Sequence, residues 1–443
     1  MPNRPVEVQW EVSTDDRFRS VVRRGREIAR PHWGHSVHAE PGGLLPDYEY
    51  FYRFRVGNQI SPIGRTRTIP EPGAKSDRLR FAYASCQNYQ NGYFNALADL
   101  AQQDLDFVTF LGDYIYESAP SANDVRMHEG EDEPYTVFEY RNRYARYRTD
   151  ADLQAAHAAF PWFVTLDDHE IDNNWAADVP QDPDEQSPAD FRARRIAAFR
   201  AWYEHMPVRS WSRPWQDRIQ IYRGFQWGQL ARVHVLDTRQ YRTDQATTPE
   251  QAAEPGRTML GEGQKKWLFD ALRNQDVGWN LVANQAPMNF MPEQFRSDPV
   301  GWLDPWDGYL MERQQLLDLF GSGQVRNPFV LTGDRHFTMA CDLKADFDDP
   351  GSATVASEIV GTSISSGRDG SEAEFEAEWG QAMDEVEHWV YGDGRRGYVV
   401  CDLDEQRLQC SMRVTPVVSR PGEPSFDGER FVVESGRPGL QTG

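Results

Sequence analysis

The chain has 443 residues, of which 39% are hydrophobic and 26% are charged, so it can bury a large core and lacks the composition of a disordered protein. Lysine and arginine number 47 and aspartate and glutamate 69, which gives a net charge of −22. A field of that sign repels nucleic acid and anionic lipid, so neither is expected as a partner. No apolar run approaches the roughly 20 residues that span a bilayer, and no signal peptide follows Met1, which fits a cytoplasmic protein, a mature form or a shortened chain.

The first domain is predicted to span residues 1–72 and to be a small β-sandwich. Val6–Val12 and Leu44–Val56 alternate apolar and polar side chains, the pattern of half-buried strands. The second run begins with a Leu-x-Pro-x-x-x-Tyr arrangement that ends at Tyr50. This arrangement resembles fibronectin type III and immunoglobulin-like domains, in which a corner tyrosine fixes the turn before a strand. A complete sandwich needs about seven strands and ~100 residues, so this one is short at its start.

A second domain is predicted over residues 79–430, after a linker at 69–77 that is rich in proline and polar residues, and a tail over 431–443. Short apolar runs alternate there with helical stretches, which indicates an α/β fold with layered packing. The predicted strands are Leu79–Ser85, Phe107–Leu111, Trp162–Leu166, Ala231–Leu236, Trp279–Val282 and Phe329–Leu331. The predicted helices are Tyr93–Asp104, Val137–Thr149, Pro188–His205, Gly263–Asn274 and Met311–Gly321. A β-hairpin is expected from Gly397–Leu403 and Arg407–Val414, and Ser435–Gly443 is expected to fray.

Almost every predicted strand runs directly into a cluster of possible metal ligands. Cys86 follows the first strand, the stretch 113–117 the second and the stretch 167–174 the third, while Asn284 and the stretch 334–336 follow two later strands. Strand ends of an open α/β sheet meet at one edge, where active sites lie. One such cluster is weak evidence because aspartate and asparagine are common in turns, but five clusters in this order predict a metal site.

The motifs at these strand ends are Ala-Ser-Cys-Gln (84–87), Leu-Gly-Asp-Tyr-Ile-Tyr-Glu (111–117), Asp-Asp-His-Glu-x-x-Asn-Asn (167–174) and Gly-Asp-Arg-His (333–336). Together they resemble the alkaline phosphatase D (PhoD-like) family, which belongs to the calcineurin-like metallophosphoesterase superfamily. The resemblance covers about residues 79–415 and implies a four-layer αββα sandwich, and the β domain before it resembles the family's N-terminal module. The implied activity is metal-dependent hydrolysis of phosphate esters at alkaline pH by a secreted or cell-envelope enzyme.

The resemblance also implies the contents of the metal site, which are one ferric ion and calcium beside it. The implied ligands of iron are Cys86, Asp113, Tyr116, Asp334 and His336, and Asp113 is also the implied bridge to the second metal. On the calcium side the implied ligands are Asp168 and Asn173, with Asn174 and Asn284 as weaker candidates. Which asparagine of the pair at 173–174 binds metal is left open, as is the oligomeric state.

Three residues are assigned catalytic roles through the same resemblance. Asp113 acts as the bridging ligand. His169 is either a general acid or a contact to the phosphate, by analogy with the Gly-Asn-His-Glu type motif of purple acid phosphatases. Arg335 either contacts the phosphate or pairs with a surface carboxylate. The expected nucleophile is a hydroxide activated by the metals, so no serine is needed, and no Gly-x-Ser-x-Gly motif occurs in the sequence.

The residue types suit these metals on physical grounds. Thiolate and phenolate are electron-rich anions that favour a transition metal in a high oxidation state, whereas carboxylate and carboxamide oxygens suit a hard ion such as calcium. Two ions roughly 3.5–4 Å apart can activate water and hold the oxygens of a phosphoryl group during in-line displacement. In a protein this acidic, metal cations must also reverse the local charge before a phosphate ester can bind.

Two alternatives to a phosphatase remain at this stage. One is a phosphodiesterase or phospholipase D-like activity at the same centre, which would differ in the shape of the groove. The other is a non-catalytic protein whose β domain recognises a wall polymer and whose metals are structural. Turnover of a chromogenic phosphate ester would separate the second alternative from the enzymes.

Other histidines and cysteines are not assigned to the site. His32, His35 and His38 recur every three residues, but a spacing of three alternates faces on a strand, so they are interpreted as solvated histidines and not as a zinc site. One disulfide is possible if the protein is exported, with the pairing left open among the remaining cysteines, Cys341, Cys401 and Cys410.

Overall fold

The computed structural model describes residues 3–128, 130, 132–296, 301–349 and 351–443. Its N-terminal part is a five-stranded antiparallel sheet in the order β2-β1-β3-β4, with β5 paired to β3. The strands are β1 (Val6–Ser13), β2 (Val21–Ala29), β3 (Glu49–Val56), β4 (Gln59–Ile60) and β5 (Gly64–Arg67).

The N-terminal sheet differs from the expected two-sheet sandwich. The described residues of this part form one sheet, because its five strands, one of them two residues long, leave none for a second layer. The predicted corner tyrosine is present, since the hydroxyl of Tyr50 accepts a hydrogen bond from the amide of Leu45 at 2.9 Å. The sheet is joined to the rest of the molecule by an ion pair of 2.6 Å between Arg67 and Asp106. The domain boundary at residues 72–79 remains a prediction.

The remaining strands and the helices follow in chain order. The strands are β6 (Leu79–Ala84), β7 (Phe107–Phe110), β8 (Trp162–Val164), β9 (Arg223–Trp227), β10 (Ala231–Val235), β11 (Trp279–Ala283), β12 (Pro328–Thr332), β13 (Thr338–Lys344), β14 (Thr354–Val360), β15 (Trp389–Asp393), β16 (Arg396–Leu403), β17 (Arg407–Thr415), β18 (Phe426–Glu434) and β19 (Arg437–Thr442). The helices are α1 (Asn95–Leu100), α2 (Val137–Tyr147), α3 (Ala151–Ala159), α4 (Pro188–His205), α5 (Pro249–Ala252), α6 (Gly261–Leu272), α7 (Leu310–Gly321) and α8 (Glu372–Glu385).

Two seven-stranded sheets form the centre of the molecule. One has the order β19-β18-β17-β16-β6-β7-β8 and the other the order β15-β13-β14-β12-β11-β10-β9. A single apolar cluster joins their facing sides, with Phe81 from the first sheet and Leu281 from the second. Helices α1 to α4 cover the outer side of the first sheet, and α6 and α7 cover the outer side of the second. These four layers confirm the predicted αββα architecture.

All six predicted strands and five predicted helices are present with small shifts of their ends. The prediction that Ser435–Gly443 frays is wrong, because this segment is ordered. Residues Arg437–Thr442 form β19, which pairs antiparallel with β18 at the edge of the first sheet. The sequence there alternates too weakly to indicate a strand, and the pairing with β18 supplies the order.

None of the helices in the described ranges is both long and apolar enough to span a membrane.

The strand directions bring the predicted ligands together. β6, β7 and β8 run parallel in the first sheet, and β10, β11, β12 and β14 run parallel in the second. The ligand clusters follow the carboxyl ends of these strands, so both sheets deliver side chains to the same edge of the sandwich.

Candidate metal centre

The loops that carry the candidate ligands hold unusual backbone conformations. Cys86, Asp113, Asn174 and Asp334 are non-glycine residues with φ values of 58°, 57°, 52° and 68°. Left-handed φ costs free energy outside glycine and is concentrated at functional sites, where surrounding contacts enforce it. Gly112 allows the two central loops to touch, because a Cβ at that position would lie 2.6 Å from the backbone nitrogen of Asp167.

One group of ligand atoms surrounds the phenol of Tyr116. Ligand atoms of Cys86, Asp113 and His336 all lie within 4.8 Å of one another. The thiol of Cys86 lies 3.4 Å from Oδ2 of Asp113, and the hydroxyl of Tyr116 donates to the same oxygen at 2.9 Å. The hydroxyl is also 3.2 Å from Nε2 of His336. Four of the five predicted iron ligands therefore meet at one point.

A second group adjoins the first through Asp113. Asp113, Asp168 and His169 offer atoms within 4.8 Å of one another, as do Asp167, Asp168 and Asp334. Oδ1 of Asp113 accepts a hydrogen bond from the amide of His169 at 3.3 Å, while Oδ2 faces the thiol and phenol. The carboxylate of Asp113 thus lies between the two groups, as a bridging ligand must.

The electrostatics of these groups fit bound cations. Burial raises the pKa of Cys86, Asp113 and Tyr116 well above their usual values, and the neighbouring acidic groups raise it further. Oδ1 of Asp168 is buried and has no hydrogen-bond partner among the described residues. Crowded acids of this kind must either take up protons or share a cation, and a buried oxygen without a donor is suited to a metal.

His336 is suited to metal binding as a neutral imidazole. Burial, together with the nearby guanidinium of Arg396, lowers the pKa of His336 to about 3. Arg396 also donates to the backbone oxygen of His336 and to the backbone oxygen of Ser366, the latter at 3.0 Å. Ser366 in turn donates from its hydroxyl to the phenol oxygen of Tyr116 at 2.7 Å. These contacts position the imidazole and the phenol relative to each other.

His169 forms a hydrogen-bonded pair with Glu117. Nδ1 of His169 lies 2.7 Å from Oε2 of Glu117, and the imidazole stacks on the ring of Tyr116 with centroids 4.1 Å apart. Burial by itself lowers the pKa of His169, but the carboxylates of Glu117, Asp168 and Asp113 raise it well above its usual value. Sequence reasoning assigned no role to Glu117, although this residue ends the motif at 111–117.

Glu170 and Arg239 form hydrogen bonds that hold the ligand loops in place. Glu170 accepts hydrogen bonds from the backbone amides of Asp113, Tyr114 and Asp167, at 3.1, 2.6 and 2.7 Å. Arg239 donates to Asp167 at 2.6 Å and to Asp304 at 3.0 Å. Glu170 stood in the Asp-Asp-His-Glu motif without an assigned role, whereas no signal in the sequence marked Asp304.

The contacts of Asn173, Asn174 and Asn284 do not single out one of them as a metal ligand. The backbone N–H of Asn173 donates to Oε1 of Glu117 at 2.9 Å, and the backbone N–H of Asn174 donates to Oδ2 of Asp168 at 2.8 Å. Both asparagines therefore lie in the loop that follows Asp168. The side chain of Asn284 is engaged at both ends, because its oxygen accepts from the indole of Trp306 at 3.2 Å and its nitrogen donates to the backbone oxygen of Ala286.

The remaining histidines and cysteines lie outside the centre. His32 is in a short 3-10 turn and not on a strand, and none of the metal-type groups in the described ranges includes the three N-terminal histidines. His38 is not solvated as expected, because its Nδ1 contacts the backbone oxygen of Val208 at 2.8 Å and its ring stacks on Tyr203. Cys401 and Cys410 oppose each other on β16 and β17 as free thiols, with sulfur atoms 3.5 Å apart.

Comparison with known proteins identifies the family of the chain. The family model described as "PhoD-like phosphatase" matches residues 81–412, and "PhoD-like phosphatase, N-terminal domain" matches residues 1–70. Alkaline phosphatase D of Bacillus subtilis (strain 168) is 42% identical over 455 residues, which cover 100% of this chain and 77% of that protein. A solved structure described as "Structure of PhoD" has a TM-score of 0.94 at 41% identity and covers 100% of this chain and 86% of that one. The chain therefore belongs to the PhoD-like phosphatase family and is a metal-dependent phosphoric ester hydrolase.

Proposed function

We propose that this hydrolase works with one ferric ion and with calcium beside it. The observation that carries the iron assignment is the buried meeting of a thiol, a phenol, a carboxylate and an imidazole within a few ångströms. Soft anionic sulfur with phenolate oxygen favours a transition metal, whereas the carboxylate of Asp168 and the carboxamide of Asn173 offer the oxygen donors that favour calcium. The proposed iron ligands are Cys86, Asp113, Tyr116, Asp334 and His336, and the proposed calcium ligands are Asp168 and Asn173, with Asn174 and Asn284 as weaker candidates.

When bound, the two cations supply the Lewis acidity that activates water and that offsets the charge of the phosphoryl oxygens. Asp113 holds the two parts of the centre at a fixed separation, because its two oxygens face different groups. Glu170 keeps that carboxylate in place through the backbone amide of the same residue. The carboxylate of Asp113 is thus held in place before the substrate binds, so this part of the centre is preorganised.

We assign to His169 the delivery of a proton to the leaving oxygen. Nδ1 of the imidazole is directed at Glu117, which leaves Nε2 available for the substrate. The carboxylate of Glu117, which is hydrogen-bonded to Nδ1, favours the protonated imidazolium, and this is the form that a general acid needs. A contact to the phosphate remains the other role open to His169, and the leaving-group experiment described in the Discussion separates the two.

We assign to Arg335 a contact with the phosphoryl oxygens. Arg239 and Arg242 are not available for this role, because both side chains are 0% exposed and bind Asp304. The side chain of Arg335 is 22% exposed and lies next to Asp334, with Nε 3.8 Å from Oδ2. Unlike Arg239 and Arg242, Arg335 is therefore partly open to solvent.

The colour of the protein tests the iron assignment. Thiolate and phenolate bound to ferric iron give charge-transfer absorption at visible wavelengths, so the purified protein is expected to be coloured. Elemental analysis of protein prepared without chelator is expected to give about one iron per chain, together with calcium. A colourless, fully active protein that contains only zinc would contradict the proposal.

The preference between monoesters and diesters tests the charge of the site. A monoester dianion needs more positive charge than a diester, and Arg335 and His169 are few cations for a chain of net charge −22. We expect para-nitrophenyl phosphate and bis-para-nitrophenyl phosphate both to be hydrolysed, with kcat/KM values within about a hundredfold, or ~2.7 kcal/mol. Both are measured at one pH with calcium present. A monoester preference above roughly ten-thousandfold would reveal a cationic pocket that these residues do not supply.

The location of the enzyme is a further proposal. From the family resemblance we infer a secreted or cell-envelope protein. Cell fractionation of the native host, with activity assayed in each fraction, tests this location.

A further inference from the structure

One edge of the Arg335 guanidinium lacks partners. Nε and Nη2 are both buried and have no hydrogen-bond partner within the described ranges. The ion-pair contact of Nε with Asp334 is 3.8 Å long, which is beyond hydrogen-bonding distance. The two N–H bonds of this edge are nearly parallel and match two oxygens of a phosphate. Nε and Nη2 of Arg335 therefore form a buried donor edge without a partner beside Asp334, while the side chain as a whole is 22% exposed.

The guanidinium of Arg335 stacks over the ring face of Trp302. Cζ of Arg335 lies 3.7 Å from the centroid of the Trp302 ring. The indole is nearly buried and packs edge-on against Trp379, with centroids 5.7 Å apart. A ring face attracts the guanidinium plane without using any of its five N–H donors, so the donors stay free for a ligand.

The alternative partners of Arg335 are carboxylates, which would use up those donors. Asp334 is its sequence neighbour, and Asp168 is one of the charges that surround Asp334. An arginine released from its ring would be free to turn towards these acids in a chain of net charge −22. The substrate would then have to break an ion pair and order a long side chain before it could bind.

We propose that Trp302 is a positioning residue for substrate phosphate, which holds the free edge of Arg335 ready to receive two phosphoryl oxygens. This inference rests on the proposed contact between Arg335 and the phosphate. Because the contact is present in the ground state and the transition state alike, Trp302 should act mainly on KM and on the binding of inorganic phosphate, and little on kcat.

The test replaces Trp302 and measures phosphate binding beside turnover. In Trp302→Leu, KM for bis-para-nitrophenyl phosphate and the inhibition constant of inorganic phosphate are expected to rise roughly three- to thirtyfold, with kcat within about threefold of the parent. Trp302→Phe retains a ring face and should recover much of the loss. Metal content by elemental analysis should equal that of the parent in both variants.

A matched control separates positioning from packing. Trp389 belongs to the same apolar cluster as Trp302 and Trp379, but its indole donates to Asn289. Trp389→Leu removes a similar area from that cluster and should leave KM and the phosphate inhibition constant unchanged. If Trp389→Leu and Trp302→Leu weaken phosphate binding equally, the role of Trp302 is packing and the inference is wrong. Should Trp302→Leu fail to fold, Trp302→Phe and Trp302→Tyr carry the comparison.

A double substitution shows whether Trp302 acts through Arg335. In a chain that already carries Arg335→Ala, adding Trp302→Leu should not weaken phosphate binding further. If the two residues acted independently, the fold-losses in phosphate affinity of the two substitutions would multiply. If Arg335→Ala weakens phosphate binding but Trp302→Leu does not, the positioning role is overturned while the proposed phosphate contact stands. If Arg335→Ala itself has no effect on phosphate binding, the proposed contact is wrong, and the role of Trp302 falls with it.

Discussion

Asp113→Asn is expected to lower kcat/KM by at least about a thousandfold, which corresponds to ~4 kcal/mol of transition-state stabilisation. The amide matches the carboxylate in size, so the fold should persist. It lacks the negative charge, however, and offers one oxygen instead of two. In the native chain Oδ2 faces Cys86 and Tyr116, while Oδ1 faces the loop of His169. Losing one oxygen therefore disconnects the two halves of the centre.

The measurement is kcat/KM on a chromogenic phosphate ester, with circular dichroism for the fold and elemental analysis for metal content. Asp334→Asn and His336→Ala should behave like Asp113→Asn. The controls are His32→Ala, His35→Ala and His38→Ala, which should leave turnover within a few-fold of the parent because these residues lie in the N-terminal part, outside the ligand groups. If the control substitutions matter as much as Asp113→Asn, the map of the site is wrong.

His169→Ala is expected to lower kcat by about a hundred- to ten-thousandfold on substrates with poor leaving groups, the range typical of a lost general acid. The imidazole is held by Glu117 and stacked on Tyr116, so its position is fixed before the substrate binds. Glu117→Gln keeps the size of the side chain but removes the charge that favours the imidazolium. A smaller loss, of about ten- to a hundredfold, is expected there.

Leaving groups of different basicity decide between the two roles of His169. A nitrophenolate needs little protonation as it departs, whereas an alkoxide needs a proton. If His169 is the general acid, His169→Ala should damage alkyl phosphates far more than nitrophenyl phosphates. A uniform loss on both kinds of ester, accompanied by weaker inhibition by inorganic phosphate, would identify His169 as a phosphate contact instead.

Local patterns were enough for much of the fold and for a list of candidate ligands. The six predicted strands are short and mainly apolar, because strands covered on both faces need few polar side chains, although Arg80, Arg232 and Asn280 interrupt three of them. In the two central sheets, the strands that escaped prediction are β9, β13, β14, β15, β18 and β19. Partial exposure weakens the alternation that marks a strand at the edges β9, β15 and β19, but it does not explain the miss at the buried β14. The motifs, taken together, also named Cys86, Asp113 and His336 through their resemblance to the family.

What the sequence alone determined is the set of donors and their order along the chain, because residue type and strand periodicity are local properties. The tertiary structure decided which donors meet, since this depends on how two sheets pack. The contact of Tyr116 with His336 joins residues 220 positions apart, and that of Tyr116 with Ser366 joins residues 250 apart. The pairing of His169 with Glu117 and the stacking of Arg335 on Trp302 have the same origin. No local pattern encodes such contacts, because each depends on the relative placement of loops that only the closed sandwich brings together.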